Sequence, residues 1–295
     1  MEKSKRISQI IVFLLVVLAV VIFGFAIIKN KKPSSSQNTF LQKHLPTTRN
    51  FASLPSSEKD KFILPTKSEK PIPQEVDIPV PFSPQAPFAV WDNLHNEACE
   101  EAALIMAKYF QKGEALSPNK MEKEILSSVL WQKKNWKGHF DLSAQKMVEL
   151  GQNYFDLKNI YLEKEPTINS IKKHLSQGEI VIAPTFGRNL KNPHFRGAGP
   201  IYHVLIIRGY KGDKFITNDP GTKRGKGFIY PQNNILESIH NWPGEFGKHY
   251  LKKEAVDLIK RGERIVIIVP GQAKSKMTNS FWGQTPEEGA ESPHK

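Results

Sequence analysis

The stretch "IYHVLIIRGYKGDKFITNDP", residues 201–220, decides the fold. Its first ten residues are mostly β-branched or aromatic, and "KFITNDP" at 214–220 has the same character. The "KGDK" between them has turn chemistry, so the stretch reads as a β-hairpin. Further strands lie on either side. "EIVIAPTF" at 179–186 and "RIVIIVP" at 264–270 are short, apolar and rich in β-branched residues, as buried strands are. The chain before them carries helical periodicity instead, over 97–111, 118–133, 142–151 (opening at Asp141, Leu142 and Ser143) and 167–177. Helices first and strands later predict an α+β domain with an antiparallel sheet. No internal repeat is present.

The N-terminal quarter is different. "IIVFLLVVLAVVIFGFAII" runs from Ile10 to Ile28 without a charge, close to the ~20 residues that a helix needs to cross a bilayer. It is longer than a signal-peptide core and ends without a small-residue cleavage site, so it predicts a retained anchor behind a short basic flank at 1–9. The basic residues on its two sides balance. The short N-terminal flank and the large C-terminal region favour an N-in, C-out orientation at the cell membrane. Residues 29–76 are rich in Pro, Ser, Thr and Lys and predict a disordered stalk. Residues 77–270 form the folded domain, and 271–295 read as a disordered tail.

The net charge is +13. Residues 1–76 hold 12 Lys/Arg against 5 Asp/Glu, so over half of the excess lies near the expected membrane. That placement suits contact with anionic lipid or envelope polymers. No nucleic-acid-binding signature accompanies it. The single cysteine excludes an internal disulfide and any multi-cysteine zinc or iron–sulfur site, and no cofactor or metal is expected.

That cysteine is Cys99, in "NEACEEAALIMAKYF", residues 96–110. With Asn96 as N-cap it falls in the first turn of a helix, where free N–H groups and the helix dipole favour a thiolate. Glu100 and Glu101 oppose that unless they point away, so a reactive thiol needs a nearby cation. The structural alternative is a small hydrophobe beside the stripe of Ala98, Ala102, Ile105, Met106 and Tyr109.

The hairpin offers a partner set. His203 lies on the first strand and Asn218 and Asp219 end the second. Each also has an ordinary reading, as a core histidine and as residues of an Asn-Asp-Pro-Gly turn. With a two-residue loop Lys211 pairs with Lys214, and His203 shares a face with Asn218. A longer loop or a bulge gives the face to Asp219. Register alone leaves the two open.

"VPFSPQAPFAVWDNLHNEACEEAALIM", "GPIYHVLIIRGY" and "FITNDPGTKRGKGFIY", in that order, resemble the peptidase C39-like domains, relatives of papain-like cysteine peptidases. The resemblance spans about 77–270. It implies a papain-like fold with Cys99 as nucleophile, His203 as general base and Asp219 as the acid that orients it. Gln85 of "PQAP" would be an oxyanion donor, although the gap to Cys99 is longer than is usual in papain-like enzymes. Nothing resembles the ABC transporter of true C39 peptidases, so leader-peptide cleavage is not carried over. The expectation is a membrane-tethered thiol hydrolase acting on peptide or amide bonds of a peptide or protein substrate outside the cytoplasm. A non-catalytic peptide- or cell-wall-binding module and an acyltransferase or transpeptidase are the alternatives. His95, His139, His194 and His240 read as surface or capping residues. Trp91 and Trp242 read as groove or core.

Overall fold

The computed structural model describes residues 71–246, 248 and 250–271. The expected anchor at 10–28, the stalk up to residue 70 and the tail from 272 lie outside them. Among the described residues no helix is long and apolar enough to cross a membrane.

The fold is α+β. In chain order the elements are β1 (Glu75–Asp77), α1 (Asn93–Asn96), α2 (Cys99–Lys112), α3 (Pro118–Trp136), α4 (Ala144–Asn153), β2 (Tyr161–Lys164) and α5 (Ile168–Ser176). Next come β3 (Ile180–Phe186), a short 3-10 turn (Gly187–Leu190), β4 (Tyr202–Lys211), β5 (Lys214–Asn218), β6 (Lys226–Pro231), α6 (Gln232–Ser238), α7 (Lys252–Ile259) and β7 (Ile265–Val269). The strands form one antiparallel sheet in the order β2-β7-β3-β4-β5-β6. β1 pairs with Gly209–Lys211 of β4, beyond the Tyr202–Ile207 stretch taken by β3.

Local chemistry sets the helix starts. Ser117 caps α3 ahead of Pro118, Ser143 caps α4, and Thr167 forms a capping box with Ser170 at α5. α2 departs from expectation. Its N-cap is Ala98, which offers no side-chain bond, and Asn96 instead ends α1, a separate turn capped by Asp92. The Asn96 amide donates to the Trp91 carbonyl at 3.2 Å. α2 also lacks a single apolar stripe, because every residue from Cys99 to Ala107 is buried. It is the central helix, packed against β4 and flanked by α3 and α4. Each large apolar side chain buried there is worth roughly 1.5–3 kcal/mol relative to exposure. β3 and β7 are buried along their whole length, which explains their unbroken apolar runs.

The hairpin register carries the most information. Lys211 pairs with Lys214, as a two-residue loop requires, but Arg208 is bulged out between Ile207 and Gly209. Beyond the bulge Ile206 faces Asn218. His203, three residues on, therefore lies on the opposite face, which it shares with Asp219. β1 accompanies the bulge. The Arg208 guanidinium pairs with Asp77 and donates to the Ile78 carbonyl.

Candidate active site

A cleft of about 1050 Å³ opens between the start of α2 and the β4 end of the sheet. Cys99, His203 and Gln85 all line it, with Trp91, Tyr202 and Trp242 among the aromatic walls. Cys99 is 5% exposed and His203 2% exposed.

His203 and Asp219 meet directly. Nε2 of the imidazole lies 2.7 Å from Asp219 Oδ1, and neither residue is solvated. The carboxylate accepts three further bonds: Gly221 N–H at 2.9 Å on Oδ1, Tyr230 hydroxyl at 2.6 Å and Asn192 amide at 3.0 Å on Oδ2. Burial pushes the Asp219 pKa up, but the His203 charge and these donors hold it below the ordinary carboxylate value. An ionised Asp219 accepts only, so Nε2 carries the proton and Nδ1 is left as the basic nitrogen. Among the described residues Nδ1 has no hydrogen-bond partner.

Local sequence explains the bend that brings Asp219 back. In "NDPGTKRG" the Asp219 N–H donates to the Gly225 carbonyl, closing a turn. A Cβ at Gly225 would sit 1.7 Å from the Asp219 carbonyl oxygen, so only glycine permits the approach. A Cβ at Gly221 would meet His203 Cε1 at 2.8 Å. The Phe195 ring packs edge-on against the imidazole, with centroids 5.1 Å apart.

Cys99 stands at the first position of α2. No described acceptor takes its backbone N–H. The thiol itself donates to Glu100 Oε2 at 3.0 Å and makes no hydrogen bond to His203. Burial first, and then the Glu100 charge, push the Cys99 pKa well up. Glu100 thus does not point away. Its other oxygen accepts the Leu142 N–H at 2.8 Å, and burial beside Glu101 raises its own pKa. Burial also pushes Glu101 and Asp141 up to about 7. Both Glu100 oxygens thus act as acceptors, as those of an ionised carboxylate do.

Gln85 sits across from the α2 start. Its Nε2 donates to the His95 carbonyl at 2.8 Å and the Asn96 carbonyl at 3.2 Å, and its own N–H bonds the Pro220 carbonyl. It therefore ties the turn before Cys99 to the turn after Asp219. Asn218, the other candidate for orienting His203, points away and donates to the Val80 carbonyl at 3.1 Å. His95, expected at the surface, is buried between Asp92 and Glu122. Trp91 and Trp242 both line the cleft, Trp242 while nearly fully buried.

Asn192 and Tyr230 are absent from the sequence reading. Asn192 lies 27 residues before Asp219, and Tyr230, 11 residues after it, sits on β6, whose "KGFIYP" is interrupted by glycine and ended by proline. The one available signal is the short "FIY" run at 228–230 that follows "NDPGTKRGKG".

No family model matches the chain, and no curated protein does. Among solved structures it is similar to one described as a "putative C39-like peptidase from Bacillus anthracis". The TM-score is 0.42 and the identity 13%, over 68% of this chain and all of the other.

Proposed function

We propose that the chain is a thiol hydrolase of papain-like arrangement that cleaves peptide or amide bonds, with Cys99 as nucleophile, His203 as base and Asp219 as orienting acid. The observation that carries this reading is the buried 2.7 Å His203–Asp219 pair opening onto the same cleft as a cysteine at a helix start. A core histidine needs one hydrogen bond. This one is held by a carboxylate with four donors, which fixes its tautomer and stabilises the imidazolium.

In this mechanism the resting thiol keeps its proton and donates it in a hydrogen bond to Glu100. On substrate binding it turns to Nδ1 of His203 and gives up its proton as sulfur attacks the carbonyl carbon. The backbone N–H of Cys99 meets the developing oxyanion. Gln85 is the candidate second donor, once one amide hydrogen leaves the Asn96 carbonyl, the longer of its two bonds. The imidazolium then protonates the leaving amine and a thioester remains on Cys99. Water, deprotonated by His203, releases the acid and restores the thiol. In the same reading the 10–28 segment tethers the domain outside the cytoplasm.

One observation favours a second reading, a binding module without catalysis: the thiol is engaged by a carboxyl and its pKa is raised. Cleavage of a peptide library by the full-length chain separates the two. Products should appear with the wild type, fall by about 10²–10⁴ in His203→Ala and vanish in Cys99→Ala. A wild type that binds peptides and releases no products supports the binding module.

A further inference from the structure

The two walls of the cleft differ in charge. Glu97 and Asp141 line the side that carries Cys99. Arg196, Lys223 and Arg224 line the side that carries His203. The placement follows from two loops that close on the imidazole. Phe195 packs on His203, and a Cβ at Gly221 would touch both rings. Arg196 is the next residue after Phe195, and Lys223 and Arg224 follow Gly221 within the same turn. All three cations are exposed, and none has an ion-pair partner among the described residues. Some exposed cations elsewhere pair with carboxylates, as Lys158 does with Asp156, and others such as Lys133 and Lys191 do not; what sets these three apart is that they line one cleft wall. Lys252 adds a fourth unpaired cation to the lining.

Unpaired cations in a concave wall concentrate positive potential where a ligand must pass. Guanidinium groups match carboxylates with two parallel hydrogen bonds. Resting on the hydrolase reading, we propose that the His203-side loops form a subsite for carboxylate side chains, so that the substrates are acidic peptides. A thiol beside an oriented imidazole acts on a carbonyl carbon, and this favours a peptide over a phosphate polymer as occupant.

The test uses full-length chain in detergent and three otherwise identical fluorogenic peptides carrying Glu, Gln or Lys around the scissile bond. The Glu peptide should exceed the Gln peptide in kcat/KM by about tenfold, the scale of two or three exposed ion pairs, and the Lys peptide should be slowest. Raising salt should shrink the ratio. In an Arg196→Gln/Arg224→Gln variant the Glu-to-Gln ratio should fall towards one. Binding of the same peptides to Cys99→Ala, read by fluorescence anisotropy, separates this inference from the hydrolase reading. Preferential binding of the Glu peptide without wild-type cleavage upholds the subsite and removes the hydrolase. Cleavage without preference for Glu removes the subsite and leaves the hydrolase. Competition by polyphosphate but not by poly-glutamate overturns the peptide assignment.

Discussion

The Cys99 thiol donates to Glu100 Oε2 at 3.0 Å, so a carboxyl from the adjacent residue, and not an imidazole, holds the chain's one thiol at rest. A negative charge this close opposes ionisation of the thiol. Replacing Glu100 with Gln removes the charge while keeping an oxygen for the Leu142 N–H. Alkylation of Cys99 by iodoacetamide at neutral pH should then rise several-fold over wild type. An unchanged or slower rate would show that burial alone sets the thiol's reactivity.

Tyr230 should act through Asp219. Removing its hydroxyl in Tyr230→Phe takes away the 2.6 Å bond to Oδ2, a charge-assisted contact worth about 1.5–3 kcal/mol. Asp219 has a lowered folded pKa, so its contribution is present above the ordinary value of 3.8 and is lost as pH falls through the folded value. Without the Tyr230 donor that loss begins at higher pH. The acid limb of the activity profile should therefore move up in Tyr230→Phe, with a kcat loss of about tenfold and little change in KM. A shift in KM alone would mean that Tyr230 contacts substrate.

Gly221 should be intolerant of a side chain for local reasons. Its Cβ would strike His203 Cε1 at 2.8 Å and Phe195 Cε1 at 2.9 Å. Gly221→Ala should lose at least about tenfold in kcat by displacing the imidazole. Gly178→Ala has open space around its Cβ and a positive φ of 81°, so it serves as the control: some stability lost to backbone strain, with kcat kept. Parallel losses of activity and stability in both variants would remove the positional argument.

Glu101 and Gln132 form a buried pair with two acceptors left over, Glu101 Oε2 and Gln132 Oε1. A proton on Glu101 supplies the missing donor, in keeping with a pKa pushed up by burial to about 7. A carboxyl with a raised folded pKa gives stability that is fully present below its ordinary value of 4.5 and is lost as pH rises through about 7. Glu101→Gln keeps the shape and carries its own N–H donor at every pH. Denaturant unfolding should show the variant more stable than wild type at pH ~8, by on the order of 2 kcal/mol, with the gap closing at pH ~5. A variant less stable at both pH values would contradict a neutral Glu101.

Much of this was legible in the chain. The β-branched runs of β3, β4 and β7 and the serine and threonine caps of α3, α4 and α5 follow from local chemistry that tertiary packing did not overturn. The position of Cys99 at a helix start is legible too, but its cap is not: the α1 turn intervenes, and nothing in "DNLHNEA" distinguishes one helix from two. The choice between Asn218 and Asp219 is not legible from register, because it depends on one bulged residue, Arg208, whose side chain is held by Asp77 and Ile78 far upstream. β1, β2 and β6 escaped because each is short and partly exposed, with stability that comes from ladder neighbours more than from its own residues. The Glu100 contact shows a similar limit. The sign of its effect followed from spacing, but the side chain's direction is set by Leu142, some forty residues later.

The most direct test of the central claim is a search for an acyl group on Cys99. Full-length chain mixed with cleavable peptide, quenched in acid within the first turnover and analysed by peptide mass mapping should carry a hydroxylamine-sensitive thioester on Cys99. The adduct should be strongly reduced in His203→Ala. Peptide cleavage that continues in Cys99→Ala, or that proceeds in wild type with no mass ever added at Cys99, would contradict the account.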